Sequence, residues 1–206
     1  TVAYQAPFKN AECRMQNAEL ILEKFKINKP YVLYVGSAYP HKNLEGLLRA
    51  WKIFEDKYGR NYQIVFVGQN NYFYERLLQS VEVKAVKDSF VFTGLVSDYE
   101  LRAIYQKASL YVFPSFYEGF GLPPLEAMNY GVPVASANST CLPEVLGEAA
   151  LYFNPENPAQ IADIIYKGLT DKNIIFELKQ KSRQELQRYS NENLVEKTLH
   201  VYKKII

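Results

Sequence analysis

Residues 111–131 read Tyr-Val-Phe-Pro-Ser-Phe-Tyr-Glu-Gly-Phe-Gly-Leu-Pro-Pro-Leu-Glu-Ala-Met-Asn-Tyr-Gly and carry more structural information than any other part of the chain. The apolar segment 110–113 predicts a buried strand, which runs into a turn that contains two glycines. Pro123 and Pro124 follow this turn. They indicate the start of a helix, because backbone N–H groups in a first helical turn have no partner within the helix. The stretch therefore predicts a strand, a glycine turn and a helix in direct succession.

The predicted helix start is suited to bind an anion. Its N–H groups and the positive end of the helix dipole attract negative charge, and Gly119 and Gly121 let a ligand approach the backbone. Two carboxylates, Glu118 and Glu126, flank the turn. Because the amides suit phosphates and the carboxylates suit hydroxyl groups, the pattern favours a sugar joined to a nucleotide through a diphosphate. The simpler alternatives are a purely structural glycine turn and a Glu126 that only complements the helix dipole.

The rest of the chain alternates predicted strands with predicted helices. Apolar runs predict further strands at 31–35, 63–67, 90–92, 132–135 and 149–153. The segments between them have apolar residues at helical spacing, for example the stripe formed by Tyr74, Leu77, Leu78 and Val81. This alternation predicts an α/β fold, a Rossmann-like doubly wound parallel sheet of about six strands with helices on both faces.

Composition argues against several classes of protein. With 206 residues, 48% of them hydrophobic, the chain is predicted to form one domain. Its net charge of +2 comes from 24 basic and 22 acidic residues that are scattered along the chain, which argues against nucleic acid as a partner. Two cysteines and two histidines without metal-ligand spacing predict no zinc site, no Ser-His-Asp triad and a reducing compartment. No apolar run reaches the roughly 20 residues that span a bilayer.

Two further strand ends are candidate ligand sites, because ligands of open parallel sheets bind beside the carboxyl ends of the strands. Residues 36–43 follow the first predicted strand, where Lys42 can reach a phosphate. A solvated surface lysine is the simpler alternative. Asn43 is predicted to cap the helix that follows. Residues 93–96, Thr-Gly-Leu-Val, follow the third predicted strand and offer backbone groups and an apolar face to a base, or form a plain tight turn.

The run of residues 114–128, followed by Gly131-Val-Pro-Val-Ala-Ser and Leu142-Pro-Glu-Val, resembles the donor-binding half of glycosyltransferase family 4. The resemblance extends from Tyr31 to about Ser190. It implies one half of a GT-B fold and a retaining transferase. Such an enzyme moves a hexosyl group, mannosyl or glucosyl, from a UDP- or GDP-sugar to a saccharide or lipid-linked acceptor. The resemblance implies no cofactor and no metal, and the chain contains no Asp-x-Asp motif.

The resemblance also implies a role for each matching residue. The catalytic residues are Glu118, which orients the donor sugar, and Lys42, which neutralises the departing diphosphate. The diphosphate is bound by Lys42, Ser37, Gly36, Phe120, Gly121 and Leu122. Glu126 binds the ribose, and the base is bound by Thr93, Gly94, Leu95 and Val96. Many family members have an arginine where this chain has Ser37, so a second phosphate-binding cation is absent, is supplied by His41, or comes from another domain.

Residues 1–206 are predicted to be a single nucleotide-sugar-binding domain. In this interpretation residues 1–28 are an interdomain crossover and a leading helix, and residues 190–206 are a C-terminal helix. Because the sequence begins with Thr1 rather than Met, we expect that an N-terminal acceptor domain is absent and that the isolated domain is inactive. We expect a cytoplasmic parent protein, either free or peripheral at the inner face of the cytoplasmic membrane. The alternatives are a GT-B sugar-nucleotide epimerase or phosphorylase, and a non-enzymatic nucleotide-sugar-binding module.

Overall fold

The computed structural model describes residues 18–205, apart from the side chains of residues 191, 192, 197 and 205. Most of the predicted crossover therefore lies outside the described residues. Six strands form one sheet: β1 Tyr31–Val35, β2 Gln63–Val67, β3 Phe90–Phe92, β4 Leu110–Phe113, β5 Val134–Ala137 and β6 Ala150–Phe153. The helices in this part are α1 Ala18–Lys24, α2 Leu44–Tyr58, α3 Tyr72–Leu78, α4 Val81–Ala85, α5 Asp98–Lys107, α6 Leu122–Asn129, α7 Leu142–Leu146, α8 Pro158–Thr170, α9 Lys172–Leu186 and α10 Asn191–Ile205.

The sheet is parallel throughout, with the strand order β3-β2-β1-β4-β5-β6. The order runs outward from β1 in one direction and from β4 in the other. Right-handed connections then place the helices on opposite faces. α2 packs on α8 and α4, while α1 packs on α5 and α6 packs on α9. This architecture confirms the predicted Rossmann-like doubly wound sheet.

Three central strands, β1, β2 and β4, are buried on both faces. Every residue of β2 and β4 is buried, and so are the first four residues of β1. Strands of this kind appear in sequence as continuous apolar runs rather than as alternating patterns. The predicted bounds of β1, β2 and β4 are confirmed to the residue.

Two predicted strands begin later than expected. β5 was predicted at 132–135 and lies at 134–137. The backbone N–H of Val132 donates to Ala127 O at 3.0 Å and Pro133 has no N–H, so these two residues close the end of α6 instead of joining the sheet. β6 starts one residue late because the N–H of Ala149 donates to Leu146 O at 3.0 Å in a turn.

The predicted stripe that ends in Val81 is wrong at that residue. The helix stops at Leu78, and Ser80 starts a new one by accepting the backbone N–H of Val83 on its hydroxyl at 3.3 Å. The break rotates Val81 out of the core, and its side chain is 72% exposed. Tyr74 and Leu77 are buried as expected.

Candidate functional site

Two predicted site loops meet where the strand order reverses. Residues 36–43 follow β1, residues 114–121 follow β4, and these two strands are neighbours in the sheet. Lys42 Nζ lies 2.6 Å from Glu118 Oε1, although the two residues are 76 positions apart. Their side chains are only 17% and 11% exposed. The Lys42 ammonium also lies 5.5 Å from the centre of the Phe113 ring. The two predicted catalytic residues therefore form a partly buried ion pair at the crevice where doubly wound sheets bind ligands.

Asn43 occupies the N-cap position of α2 as predicted, but its side chain links three loops instead of capping the helix. Asn43 adopts a left-handed conformation (φ 56°) and makes no side-chain capping bond. Instead its Nδ2 donates to Pro114 O at 3.2 Å and to Pro155 O at 2.8 Å. The backbone N–H of Phe116 adds a bond to His41 O at 2.8 Å. The Lys42 loop is thereby attached to the loops that follow β4 and β6.

Gly46→Ala is expected to destabilise the protein, although replacing glycine by alanine inside a helix normally stabilises it by about 0.5–1 kcal/mol. A Cβ at Gly46 would lie 2.1 Å from Asn43 Oδ1, so the amide would have to leave its two carbonyl partners. Urea denaturation measures the effect. In an Asn43→Gly background the crowding is absent, and Gly46→Ala should then be stabilising. A stabilising effect in both backgrounds would contradict the contact.

The glycine turn is followed by a helix that starts as predicted. α6 has prolines in its first turn and Gly121 at its N-cap position. Gly121 has φ 95°, and a Cβ there would lie 2.8 Å from Leu142 Cδ2, so glycine is required whether or not a ligand binds. A Cβ at Gly119 meets nothing within 4 Å. Space for a ligand therefore lies over Gly119.

Thr140 and Cys141 hold the backbone on which Glu118 is carried. The backbone N–H of Glu118 donates to Thr140 Oγ1 at 3.2 Å. The single proton of the Cys141 thiol is shared between two carbonyl oxygens, Glu118 O at 3.3 Å and Phe120 O at 3.5 Å from the sulfur. Burial raises the pKa of the Cys141 thiol, which keeps it protonated and able to donate. These contacts were not predicted, since nothing in the residue spacing indicates that this pair reaches the turn.

Glu126 lies on α6 in a pocket of about 250 Å³ beside α5. Its Oε2 accepts a hydrogen bond of 3.2 Å from the hydroxyl of Tyr105, whose ring stacks on Tyr130 at a centroid distance of 5.3 Å. Burial raises the pKa of the Glu126 carboxyl, and the bond from Tyr105 opposes this shift. A half-buried carboxylate with remaining acceptor capacity at the rim of a pocket can bind hydroxyl groups.

A groove of about 310 Å³ crosses the ends of β1, β2 and β3. It brings Gly36 and Ser37 of the predicted diphosphate loop together with Leu95 and Val96 of the predicted base-binding segment. Leu101 lines both this groove and the pocket of Glu126, so the two cavities adjoin. Two of the predicted diphosphate residues and two of the predicted base-binding residues thus line one groove, which shares Leu101 with the pocket of Glu126.

Two predicted base-binding residues have a structural role in the turn beside the groove. The Thr93 hydroxyl donates to Gly94 O at 3.0 Å, and the same carbonyl accepts the backbone N–H of Gly68 at 3.3 Å. Conversely, Tyr39 and Asn71 line the groove without having been predicted. Tyr39 is 45% exposed. An aromatic residue three positions before the predicted phosphate-binding lysine is the sequence signal that could have identified it as a groove residue.

The described part of the chain has two further properties that bear on function. Within residues 18–205, no cluster of three or more His, Cys, Asp or Glu side chains is arranged to hold a metal ion. In the same range, every helix is too short or too polar to cross a membrane.

Comparison with known proteins assigns the family. The model of the family described as "Glycosyl transferases group 1" matches residues 17–192. The chain belongs to this family. It is 35% identical over 185 residues to O-antigen chain mannosyltransferase B of Escherichia coli, which covers 89% of this chain and 48% of that protein. It is 37% identical over 143 residues to O-antigen chain mannosyltransferase RfbU of Salmonella typhimurium, which covers 69% of this chain and 39% of that protein. The chain therefore spans half or less of the length of these relatives.

Solved structures share the fold of this chain. A glycosyltransferase from Rickettsia africae superimposes with a TM-score of 0.87 at 18% identity, over 100% of this chain and 57% of that one. Sucrose-phosphate synthase from Thermosynechococcus elongatus superimposes with a TM-score of 0.77 at 26% identity, over 98% of this chain and 49% of that one. Alignment with about half of each is expected for one half of a GT-B fold. The narrower assignment to family 4 stays a prediction.

Proposed function

We propose that this chain is the donor-binding half of a retaining glycosyltransferase that moves a mannosyl group from a UDP- or GDP-sugar to a saccharide or lipid-linked acceptor. The observation that carries the proposal is the contact between Lys42 and Glu118 at the start of α6, where β1 and β4 end. Mannose is favoured over glucose because both curated relatives described above are named mannosyltransferases. The acceptor site belongs to a further domain of the parent protein.

Lys42 exchanges partners when the donor binds. In the free chain its ammonium is neutralised by Glu118. A diphosphate at the start of α6, bound by the amides of Phe120, Gly121 and Leu122, offers Lys42 a more highly charged partner. The carboxylate of Glu118 is then released to accept hydrogen bonds from hydroxyl groups of the sugar. One binding event thus places both groups for catalysis.

The chemical step depends on stabilising charge. When the bond between the sugar C1 and the diphosphate oxygen breaks, its electron pair stays with the diphosphate. Lys42 and the positive end of α6 stabilise this charge, and preorganised groups of this kind are usually the largest catalytic contribution. In a retaining reaction the acceptor oxygen forms its bond to C1 on the face that the diphosphate leaves. The departing phosphate oxygen takes the acceptor proton, so the protein need not supply a base.

The nucleoside follows the two cavities. The base lies in the groove between Tyr39 and the segment Leu95–Val96, and the ribose hydroxyls reach Glu126 where the groove adjoins the second pocket. Because this part of the groove is formed largely by backbone and apolar groups, it holds the base by its shape and apolar faces rather than by many side-chain hydrogen bonds.

Calorimetric titration of the chain with UDP, GDP and ADP, and with their mannose and glucose conjugates, tests the proposal. We expect one nucleoside diphosphate to bind and its mannose conjugate to bind more tightly than its glucose conjugate. Binding should be the same in excess chelator and in added magnesium, because Lys42 and the helix start neutralise the diphosphate. No binding of any nucleotide would contradict the donor-binding role. Strict dependence on a divalent metal would contradict the placement of the diphosphate at residues 119–122.

A further inference from the structure

Three consecutive carbonyl groups at the end of β1 each accept a hydrogen bond from a buried tyrosine. The hydroxyl-to-carbonyl distances are 3.2 Å from Tyr111 to Val35, 2.9 Å from Tyr74 to Gly36 and 2.8 Å from Tyr34 to Ser37. The three tyrosines are 0% exposed, and they come from β4, α3 and β1 respectively. Three separate elements thus fix the backbone that leads to Lys42.

The direction of these bonds is determined by chemistry. A carbonyl oxygen only accepts, so each hydroxyl must donate. Burial raises the pKa of Tyr34, Tyr74 and Tyr111, so all three stay neutral and keep the proton that they donate. The carbonyl oxygens of residues 35–37 consequently point at the tyrosines. The negative ends of these peptide dipoles are held by donors of the core and are kept from a bound anion.

Two glycines provide the space for this arrangement. A Cβ at Gly36 would lie 2.7 Å from the Tyr34 hydroxyl oxygen. A Cβ at Gly68 would lie 2.2 Å from Gly36 O and 2.8 Å from the Tyr74 hydroxyl oxygen. At each of the two positions a side chain would collide with a tyrosine hydroxyl. Gly36, which follows β1, is therefore needed for the hydrogen bonds between the loop and the core, and not only for the approach of a ligand.

We propose that Tyr34, Tyr74 and Tyr111 are positioning residues that hold the carbonyls of residues 35–37 away from the donor diphosphate. This inference rests on the proposed donor-binding function. The tyrosines act through the loop and not by touching the ligand. The N–H of Gly36 donates to Val67 O at 3.0 Å within the sheet. With the carbonyls held inward, the loop presents the Lys42 ammonium and the N–H groups of Ser37 and Ala38 to the phosphates, as anion-binding backbone segments do.

The test is the triple variant Tyr34→Phe, Tyr74→Phe and Tyr111→Phe, which removes only the three hydroxyl groups. Calorimetry with the nucleoside diphosphate that binds best, and with inorganic pyrophosphate, should show both ligands weakened by about tenfold or more. Each single variant should have a smaller effect. Tyr31→Phe is the matched control, because Tyr31 is 1% exposed and its hydroxyl donates to Ile104 O at 2.5 Å, a carbonyl of α5 rather than of the loop. The control should bind both ligands normally.

Hydrogen–deuterium exchange provides a second readout that needs no ligand. Peptides covering residues 35–39 should exchange faster in the triple variant and at the wild-type rate in Tyr31→Phe. Wild-type affinity or unchanged exchange in a folded triple variant would overturn the inference. The two proposals fail in different ways. Absence of nucleotide binding by the wild-type chain contradicts the donor-binding function, whereas normal binding by the triple variant contradicts only the role of the tyrosines.

Discussion

Lys42→Ala is expected to weaken binding of nucleoside diphosphates to this chain by at least tenfold. Lys42 Nζ lies 2.6 Å from Glu118 Oε1 in the turn before α6, and the Lys42 side chain is 17% exposed, so solvent and salt screen its charge only in part. A hydrogen bond to a charged group contributes about 1.5–3 kcal/mol, and 1.4 kcal/mol corresponds to about tenfold in affinity. Calorimetry measures the loss. Lys52→Ala is the control, because it removes the same charge from α2 at a more exposed position (37%) and should have almost no effect.

Glu118→Gln should change the same measurement in the opposite direction. In the free chain the Lys42 ammonium donates to the Glu118 carboxylate at 2.6 Å, and a diphosphate has to displace this carboxylate. Removing the negative charge while keeping the size of the side chain frees Lys42, so a nucleoside diphosphate without a sugar should bind more tightly. The advantage should disappear for the nucleotide sugar, which loses a carboxylate acceptor. Weaker binding of the sugar-free nucleotide would mean that Glu118 orients Lys42 instead of competing for it.

The elements around the site could be predicted because their signals are local. The apolar run of β4, the glycine turn and the prolines of α6 lie within 20 residues, and each acts on the backbone where it stands. The contact between Lys42 and Glu118 has no local signal. It exists because β1 pairs with β4 in the strand order of the sheet, which no pattern within either segment specifies.

Side-chain partners inside the core were the least predictable part of the site. Asn43 precedes a helix, which is a good capping signal, yet its left-handed backbone turns the amide towards two carbonyls of other loops. The tyrosines Tyr34 and Tyr111 appeared as ordinary members of apolar strands. Their hydroxyl partners depend on where three elements meet, and only the packed structure shows that.

Glu126→Gln is expected to weaken binding of a nucleoside diphosphate by about tenfold, through loss of the charged acceptor for the ribose hydroxyls. The variant keeps the size of the side chain and an oxygen that can still accept from Tyr105, so the pocket should persist. A ligand-side control separates a ribose contact from a change of structure. The 2′,3′-dideoxy analogue of the same nucleotide should bind the wild-type chain and the variant equally. Equal loss for both ligands would remove Glu126 from the ribose site.

The pH dependence of binding tests the same assignment independently. Burial raises the pKa of the Glu126 carboxyl above its ordinary value of 4.5, so protonation on acidification begins at a higher pH than for an exposed glutamate. Protonation removes the negative charge that favours the ribose hydroxyls. Affinity for the ribonucleotide should therefore fall as the pH falls through the raised pKa, and Glu126→Gln should remove this part of the profile. The dideoxy analogue carries the same phosphates, so the difference between the two ligands isolates the carboxylate. A difference that persists in Glu126→Gln would assign the pH effect to another group.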